Sequence, residues 1–516
     1  MRYIRKIPKG RGLNEPLLYG DHPYPVTRRQ MLAAGMISGA ATVLVPGLLL
    51  PRKARADVKA DLNYLGLTNC GLAGGAGMIP FICFDLSGGA NIAGSNVLIG
   101  KQGGQMDFLS AAGYSKLGLP GTMTPNLPNQ IDSSFGVAFH IDSAWMRGIK
   151  MRASATTGAN TNGAILAARS ENDTGNNPHN PMYGIAKTGA RGELLTLIGS
   201  ESSDSGGNSA APAAMIDPRI RPTKVDQASD VTGLVDTGEL GTLFSDPADA
   251  VSVMETMAVL TNDKHGHVST GLDSTDDAGV KDFNKCGYVK SAYLAERFNN
   301  PASLNPDIDP LIVGSTGIWT QAQYSGNSEY RKTAAVMKMV IDGNAGAGTI
   351  QMGGFDYHTG DRATGEARDQ LAGECIGACL EYAARTARPL MIYVFSDGSL
   401  NSNGMIDNST GGRGKGAWAG DNQSTAASVM LVYNPKGPPV MLSSGGVARN
   451  QIGYYNADGS VNTTSHPGAN AVNQLVEVVI LNYLALHGRS GDMQTLFPTN
   501  GLGSQLDNWT AFAPFT

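Results

Sequence analysis

The sequence of 516 residues contains few cysteine, aromatic and charged residues. It has five cysteines, 7% aromatic residues and 16% charged residues. None of the cysteines has the C-x-x-C spacing of common metal and redox motifs, which argues against such motifs. Glycine is abundant, at 67 residues. This composition is typical of a loop-rich globular protein and excludes a coiled coil or a disordered chain.

Basic residues are scarce outside the N-terminal segment. Residues 1–56 contain ten of the 39 basic and two of the 44 acidic residues, so the rest of the chain carries 29 basic and 42 acidic ones, a formal net charge of −13. An acidic protein of this kind is a poor partner for nucleic acid and for anionic lipid. We therefore expect neither as a partner.

One apolar run, residues 31–50, is about long enough to span a bilayer of ~30 Å. It follows Arg28 and Arg29 and precedes a small-x-small sequence at 54–56. This arrangement predicts a twin-arginine export signal over residues 1–56, cleaved as the protein reaches the periplasm or the outside of the cell. The alternative is an uncleaved segment, which would then be the chain's contact with a membrane.

Short apolar runs bounded by glycine, proline or polar residues recur along the chain. They lie at 78–86, 163–170, 193–200, 348–354, 389–397 and 428–434. Runs this short that are apolar at both odd and even positions predict strands buried on both faces of a parallel sheet. Segments with helical periodicity lie between them. This alternation predicts an α/β fold with a doubly wound, mostly parallel sheet flanked by helices.

Residues 57–516 are predicted to form one such α/β domain, within which residues 201–310 differ in pattern. This region begins with the small-residue, polar stretch "ESSDSGGNSAAPAAMIDP", which we interpret as a linker, and continues with two helical patterns. We predict that residues 201–310 are a helical insertion or a cap over the sheet.

Polar residues follow the predicted strands at the edge where a doubly wound sheet binds ligands. They are Asp85, Ser87 and Asn91 after the first strand, His179 after the second, Asp356 and His358 after the 348 strand, Asp397 after the 389 strand, and Asp421 and Asn422 before the last. Sequential parallel strands usually lie close together, so we expect the ends of the 348 and 389 strands to be neighbours.

This set of side chains suits a divalent cation, because carboxylates and neutral imidazoles bind Zn²⁺, Mn²⁺, Mg²⁺ or Ca²⁺. The predicted ligands are Asp85, Asp356, His358 and Asp397, and Ser87 is the candidate nucleophile. A structural interpretation exists as well. Asp356 can cap the following helix, Asp397 can form a turn with the glycine after it, and His179 taken alone is typical of an exposed loop. A protein without metal is therefore the alternative.

The strand ends "GGFDYH" and "VFSDGS", together with the export signal and the early "LSGGAN", resemble an uncharacterised family of exported bacterial proteins. That domain-of-unknown-function family is related to the alkaline phosphatase and sulfatase superfamily. The resemblance spans roughly residues 78–490 and is strongest over 330–435. The matching positions are Gly353, Gly354, Asp356, His358, Ser396 and Asp397, with His179 aligned to a family histidine. The chain departs from the family at Asn422, where the family has histidine, and it lacks the arginine that follows the Asp397 motif.

The resemblance implies an alkaline phosphatase-like fold and a metal-assisted hydrolase that acts on a phosphate or sulfate ester or a related anionic substrate. The additional site residues would be Asn91, His179, Asp421 and Asn422. Because of the two departures, the chain is either an active hydrolase or a degenerate copy that has lost catalysis. The alternative function is that of a non-catalytic periplasmic or cell-surface protein, an accessory or binding component of an envelope assembly with an envelope protein as its partner.

Overall fold

A computed structural model describes residues 77–170, 177–235, 247–298 and 300–515. The predicted export signal at 1–56 lies outside these residues. No helix in the described part of the chain is long and apolar enough to cross a membrane. The described residues fall into two compact units, one made of residues 247–298 and the other of the remaining described residues.

The strands all lie in the larger unit. They are β1 (Phe81–Leu86), β2 (Ile131–Phe135), β3 (Val137–His140), β4 (Thr161–Ala167), β5 (Leu195–Gly199), β6 (Thr223–Lys224), β7 (Ala345–Met352), β8 (Leu390–Ser396), β9 (Leu400–Asp407), β10 (Lys415–Asp421), β11 (Ala427–Tyr433), β12 (Ser443–Ser444), β13 (Val447–Ala448) and β14 (Gln451–Ile452). Each of the six predicted strand segments overlaps one of these strands.

The helices of the larger unit are α1 (Ala111–Lys116), α2 (Ala144–Arg152), α3 (Ala155–Ala159), α4 (Met182–Lys187), α5 (Ala228–Gly233), α8 (Gln321–Gly326), α9 (Ser328–Ile341), α10 (Arg362–Arg385), α11 (Val472–Leu486) and α12 (Asp492–Leu496). The smaller unit consists of α6 (Pro247–Gly266) and α7 (Ser274–Arg297), which pack against each other. Both helical patterns within residues 201–310 are thus helices, and the role of the region as a cap stays a prediction.

Eight strands form one sheet in the order β14-β4-β11-β8-β1-β7-β5-β6. β1 lies at the centre and pairs in parallel with β7 on one side and β8 on the other. β11 runs antiparallel to its neighbours β8 and β4, and the remaining pairs are parallel. The prediction of an α/β fold with a mostly parallel sheet flanked by helices is confirmed.

Two details of the sheet differ from expectation. β7 and β8 are not neighbours, because β1 lies between them. β11 is reversed relative to the rest of the sheet. Both details concern which strands pair and in which direction, and these depend on contacts between segments that are far apart in the sequence.

Helices cover both faces of the central strands, which explains why these strands are apolar at odd and even positions alike. Phe81 and Cys83 of β1 belong to a buried cluster with α4 and α11. On the opposite face, α9 packs on β7, where a Cβ atom at Gly348 would lie 2.7 Å from Val336 and 2.8 Å from Val340. The glycine therefore allows close contact between this helix and the strand that leads to Asp356.

Candidate functional site

Three strand ends meet at the centre of the carboxyl edge of the sheet. Leu86 of β1 is in register with Met352 of β7 and with Ser396 of β8. From there the chain continues to Asp356 after β7 and to Asp397 after β8. Because β11 is antiparallel, its first residues lie at the same edge, directly after β10. The loops that follow the parallel strands and the loop that precedes the antiparallel strand β11 therefore lie at the same edge of the sheet.

Gly88, just after β1, lies between Asp397 and Asp356. Its N–H donates to Asp397 Oδ1 at 2.8 Å. A Cβ atom at Gly88 would lie 2.6 Å from the backbone nitrogen of Asp356 and 2.9 Å from its Cβ. Gly88 has a φ of +116°, a conformation that glycine adopts without steric cost. The close approach of these loops therefore requires glycine at position 88.

The Asp85 carboxylate is fully buried and accepts hydrogen bonds from a loop distant in sequence. Its Oδ2 accepts from the N–H groups of Asn208 and Ser209 at 2.8 and 2.7 Å, and its Oδ1 accepts from the Ser209 hydroxyl at 3.1 Å. Burial raises the pKa of Asp85 to about 7; the Ser209 N–H opposes this shift, and the charge of Asp397 adds to it. Asp85 therefore titrates close to neutral pH.

The loop that covers Asp85 belongs to the stretch that we interpreted as a linker. In the structure, Ser205 and Ser209 are buried, and this loop packs against the end of β1. A Cβ atom at Gly207 would lie 2.6 Å from Asp85 Oδ2. The adjacent glycines 206 and 207 were the signal in the sequence that a backbone approaches closely here.

Asp397 is 1% exposed and is connected to Asp85 through Asn208. The Asn208 side-chain amide donates to Asp397 Oδ2 at 3.3 Å, while its backbone N–H donates to Asp85. The main-chain carbonyl of Asp397 accepts from the Asn177 side chain at 2.8 Å. Two of the four predicted ligands thus form a buried pair held by hydrogen bonds, and their role as metal ligands stays a prediction.

The other two predicted ligands, Asp356 and His358, lie together with Asp421. His358 Nε2 is 2.7 Å from Asp356 Oδ1 and 4.0 Å from Asp421 Oδ2. One ligand atom from each residue lies within 4.8 Å of the others. The side chains are 59%, 29% and 47% exposed for Asp356, His358 and Asp421, respectively. This group, which we call the edge triad, is open to solvent and has the composition of a cation site.

A buried ion cluster holds the start of β10, the strand that ends at Asp421, against α10. Glu366 Oε1 lies 2.8 Å from Lys415 Nζ, at the start of β10, and 2.7 Å from Arg362 Nη2. Glu366 Oε2 lies 2.8 Å from Arg147 Nη2 of α2. Burial favours a high pKa for Glu366, but the charges of Lys415 and Arg362 outweigh it and lower the pKa to about 2. We call Arg147, Arg362, Glu366 and Lys415 the buried ion cluster.

Ser87 and Asn422 lie at the same edge, with side chains that hydrogen-bond to protein groups. The Ser87 hydroxyl accepts from the Gln351 side chain at 3.0 Å. Within the described part of the chain, no histidine or carboxylate is bonded to this hydroxyl. Asn422 Oδ1 accepts from the Ser424 N–H at 2.8 Å and caps the short turn that follows. Asn422 therefore adjoins the edge triad in sequence, but its side chain is engaged by the backbone.

Tyr357 anchors the loop that carries Asp356 and His358. Its hydroxyl donates to Asp369 Oδ1 of α10 at 2.6 Å and accepts from the Asn91 N–H at 3.0 Å. Asn91, which we predicted as a site residue, thus contacts the loop through its backbone. Neither Tyr357 nor Asp369 was predicted as a site residue, although an aromatic residue between Asp and His at a strand end indicates a buried side chain.

The Asp369 carboxyl should make stability depend on pH. Burial raises its pKa to about 7, against the lowering effect of the Tyr357 hydrogen bond. Between about pH 4 and 7 the folded state then holds a proton that the unfolded state releases, so this stabilising contribution is lost as pH rises. Relative to wild type, Asp369→Asn should gain stability with rising pH, by at most about 1.4 kcal/mol per pH unit.

Urea unfolding of both proteins at several pH values measures this difference. Asp204→Asn, which alters an exposed carboxylate, is the control and should follow the wild-type pH dependence. A stability difference between Asp369→Asn and wild type that stays constant from pH 4.5 to 7.5 would contradict the raised pKa.

His179 is buried, in contrast to the exposed loop position that its sequence context suggested. It is 3% exposed and stacks on Phe395 of β8, with ring centroids 5.8 Å apart. Neither ring nitrogen has a hydrogen-bond partner among the described residues. Burial lowers the pKa of His179 to about 4, so the ring is neutral at pH 7. Because Phe395 is in register with Asp85, His179 covers the strand next to that carboxylate.

Comparisons of this chain with models of protein families, with curated proteins and with solved structures find no match. Function is therefore inferred from the residues at the carboxyl edge of the sheet. Two groups of side chains at this edge are candidates for a chemical role: the exposed edge triad and the buried pair of Asp85 and Asp397.

Proposed function

We propose that the chain is an exported, metal-assisted hydrolase with an alkaline phosphatase-like fold, acting on a phosphate or sulfate ester or a related anionic substrate. The edge triad carries this proposal, because its three ligand atoms already lie within 4.8 Å of one another. Three protein ligands leave coordination positions for water and substrate, as in catalytic metal sites. A large, mostly parallel sheet with the triad at its carboxyl edge supports the proposed fold.

The composition of the triad favours Zn²⁺ or Mn²⁺. One imidazole and two carboxylates suit these ions better than Mg²⁺ or Ca²⁺, which prefer oxygen ligands alone. Atoms that share such an ion at about 2.0–2.2 Å lie roughly 3–4 Å apart, and the two His358 distances of 2.7 and 4.0 Å bracket this spacing. A bound cation would polarise the ester and activate water.

The proposed location is the periplasm or the outside of the cell. The paired arginines, the mild apolar run and the small-x-small site at residues 28–56 support export by the twin-arginine route. A small anionic substrate would have to be bound through a cation, because the acidic balance of the remaining chain and its carboxylate-rich edge would otherwise repel the substrate.

The protein should bind one Zn²⁺ or Mn²⁺, and His358→Ala should weaken this binding by about 10- to 100-fold or more, because the imidazole joins the two carboxylates. Metal titration followed by elemental analysis measures binding. Hydrolysis of aryl phosphate and aryl sulfate esters, before and after treatment with a chelator, measures activity. His267→Ala is the control, since His267 lies in an exposed loop of the smaller unit. Equal cation affinity in wild type and His358→Ala would disprove the triad as the metal site.

A non-catalytic binding component of an envelope assembly is the second candidate. The observation in its favour is that Ser87 lacks a base among its described contacts, while Asp85 and Asp397 accept hydrogen bonds from backbone and amide groups. Cation binding by the edge triad without hydrolysis of either ester would favour this function over the enzyme.

A further inference from the structure

Arg368 of α10 lies against the backbone that leads into the edge triad. A Cβ atom at Gly354 would lie 2.4 Å from Nη2, 2.6 Å from Nε and 2.8 Å from Cζ of Arg368. The guanidinium therefore covers the bare backbone of Gly354, two residues before Asp356. Gly354 also has a φ of +85°, so the chain turns at this point and the arginine fills the space that a side chain would occupy.

The Arg368 guanidinium has no hydrogen bond or ion pair to any residue in the described ranges. Two nearby basic residues, in contrast, have ion-pair partners. Arg362, on the same helix, is paired with Glu366, and Lys332 is paired with Glu329 and donates to the Gln351 carbonyl. A partly exposed guanidinium has five donors in a planar arrangement. Arg368 therefore offers these donors at the carboxyl edge without a protein acceptor.

The position of Arg368 is fixed from both sides of the triad loop. Gly354 precedes Asp356, and Tyr357, which follows it, is hydrogen-bonded to Asp369, the next residue after Arg368 on α10. The same turn of the helix thus contacts the loop before and after the first triad carboxylate. The arginine therefore lies on the turn of α10 that contacts the loop carrying Asp356 and His358.

The charges at this edge show what Arg368 adds. The carboxylates of Asp356 and Asp421 balance a divalent cation, which leaves the triad close to neutral. Asp397 is buried and directs its oxygens at the Gly88 N–H and the Asn208 amide. Arg368, which lies against Gly354 two residues before Asp356, would then supply a positive charge that no described residue pairs with. Arginine matches the geometry of phosphate and sulfate oxygens, to which it donates two parallel hydrogen bonds.

We propose that Arg368 binds the oxyanion of the substrate and gives the site its preference for phosphate or sulfate groups. This proposal rests on the proposed function, since the anion is held between the guanidinium and the triad-bound cation. In this assignment Arg368 binds the substrate, and the edge triad binds the cation.

Calorimetric titration of the Mn²⁺-loaded protein with inorganic phosphate, and separately with sulfate, tests this assignment. Arg368→Gln should lower the affinity for the preferred anion by about 10- to 100-fold, because a charge-assisted pair of hydrogen bonds is lost. Arg368→Lys should be intermediate, since it keeps the charge but not the paired donors. Arg388→Gln is the matched control, because Arg388 is exposed just before β8, at the opposite edge of the sheet; it should keep wild-type anion affinity.

The Mn²⁺ affinity of every variant separates the two proposals. We expect Arg368→Gln to bind Mn²⁺ at least as tightly as wild type, and its melting temperature to show that it is folded. If it binds Mn²⁺ and both anions with wild-type affinity, Arg368 is not the anion site and the proposed function stands. If Arg388→Gln loses as much anion affinity, or if loaded wild type binds neither anion, the assignment of Arg368 is overturned. If wild type fails to bind Mn²⁺ or Zn²⁺, the proposed function fails first.

Discussion

Gly88→Ala is expected to abolish cation binding by the edge triad and to destabilise the fold by about 3 kcal/mol or more. The φ of +116° is strained for alanine, and the new Cβ would lie 2.6 Å from the backbone nitrogen of Asp356. The loop that carries Asp356 and His358 must then move, which separates both side chains from Asp421 of β10. Because the Gly88 N–H also donates to Asp397, the displacement would disturb the buried carboxylate pair as well.

Urea unfolding and Zn²⁺ or Mn²⁺ titration of the same preparation measure both effects. Gly121→Ala is the matched control, because a Cβ atom at this exposed loop position would have nothing within 4 Å. It should retain wild-type stability and cation affinity. If Gly88→Ala keeps wild-type stability and cation affinity, the close approach of the two loops is not required for either property.

Glu366→Ala should destabilise the protein by about 3–5 kcal/mol, the usual effect of removing one partner from a buried ion pair. Lys415 is 0% and Arg362 is 1% exposed on their side chains, so both cations would lose their carboxylate in a site with little access to water. Since Lys415 begins β10 and Asp421 ends it, the loss should also loosen the edge triad and weaken its cation binding.

Chemical unfolding of Glu366→Ala beside Asp492→Ala provides the comparison. Asp492 pairs with Arg489 at the surface, with side chains 45% and 37% exposed, so its removal should change stability by at most about 1 kcal/mol. A similarly small effect for Glu366→Ala would mean that Asp142, whose carboxylate is 3.4 Å from Lys415, takes over the pairing.

The sequence was sufficient to predict six of the fourteen described strands, because burial on both faces leaves a local pattern of apolar residues in the sequence. β1 and β8 are buried along their whole lengths, and such continuous apolar runs between turn residues have few other interpretations. The end of α11 was predictable for a similar reason, since Gly488 adopts the left-handed conformation typical of a helix terminus.

Strand order and direction were not predictable from local patterns. Nothing within 81–86 indicates that this strand pairs with both β7 and β8, and nothing within 427–433 indicates an antiparallel direction. The antiparallel pairing of β9 and β10 returns Asp421 to the end of β8, and Asp421, rather than Asp397, forms a group with Asp356 and His358. A list of polar strand ends therefore identified the correct edge but could not sort its members into groups.

The residues that surround Asp85 could not be predicted from the sequence either. Its hydrogen-bond donors, Asn208 and Ser209, lie more than 120 residues away, in a stretch whose small polar residues have the composition of a linker. Small residues serve equally well where a backbone must approach a carboxylate closely, and only the three-dimensional packing distinguishes the two situations.

The central position of β1 has a consequence for biosynthesis. Phe81 pairs with Ala347 and Met391, so more than 260 further residues must be synthesised before the strand has a partner. At about 5–20 residues per second, this takes tens of seconds. β4 likewise waits for β11, and β5 has only the two-residue β6 as a partner until β7 is synthesised. The nascent chain therefore exposes apolar strands for most of its translation, and fragments that end before β7 should aggregate. The proposed twin-arginine export of the folded protein would begin only after the last strands have left the ribosome.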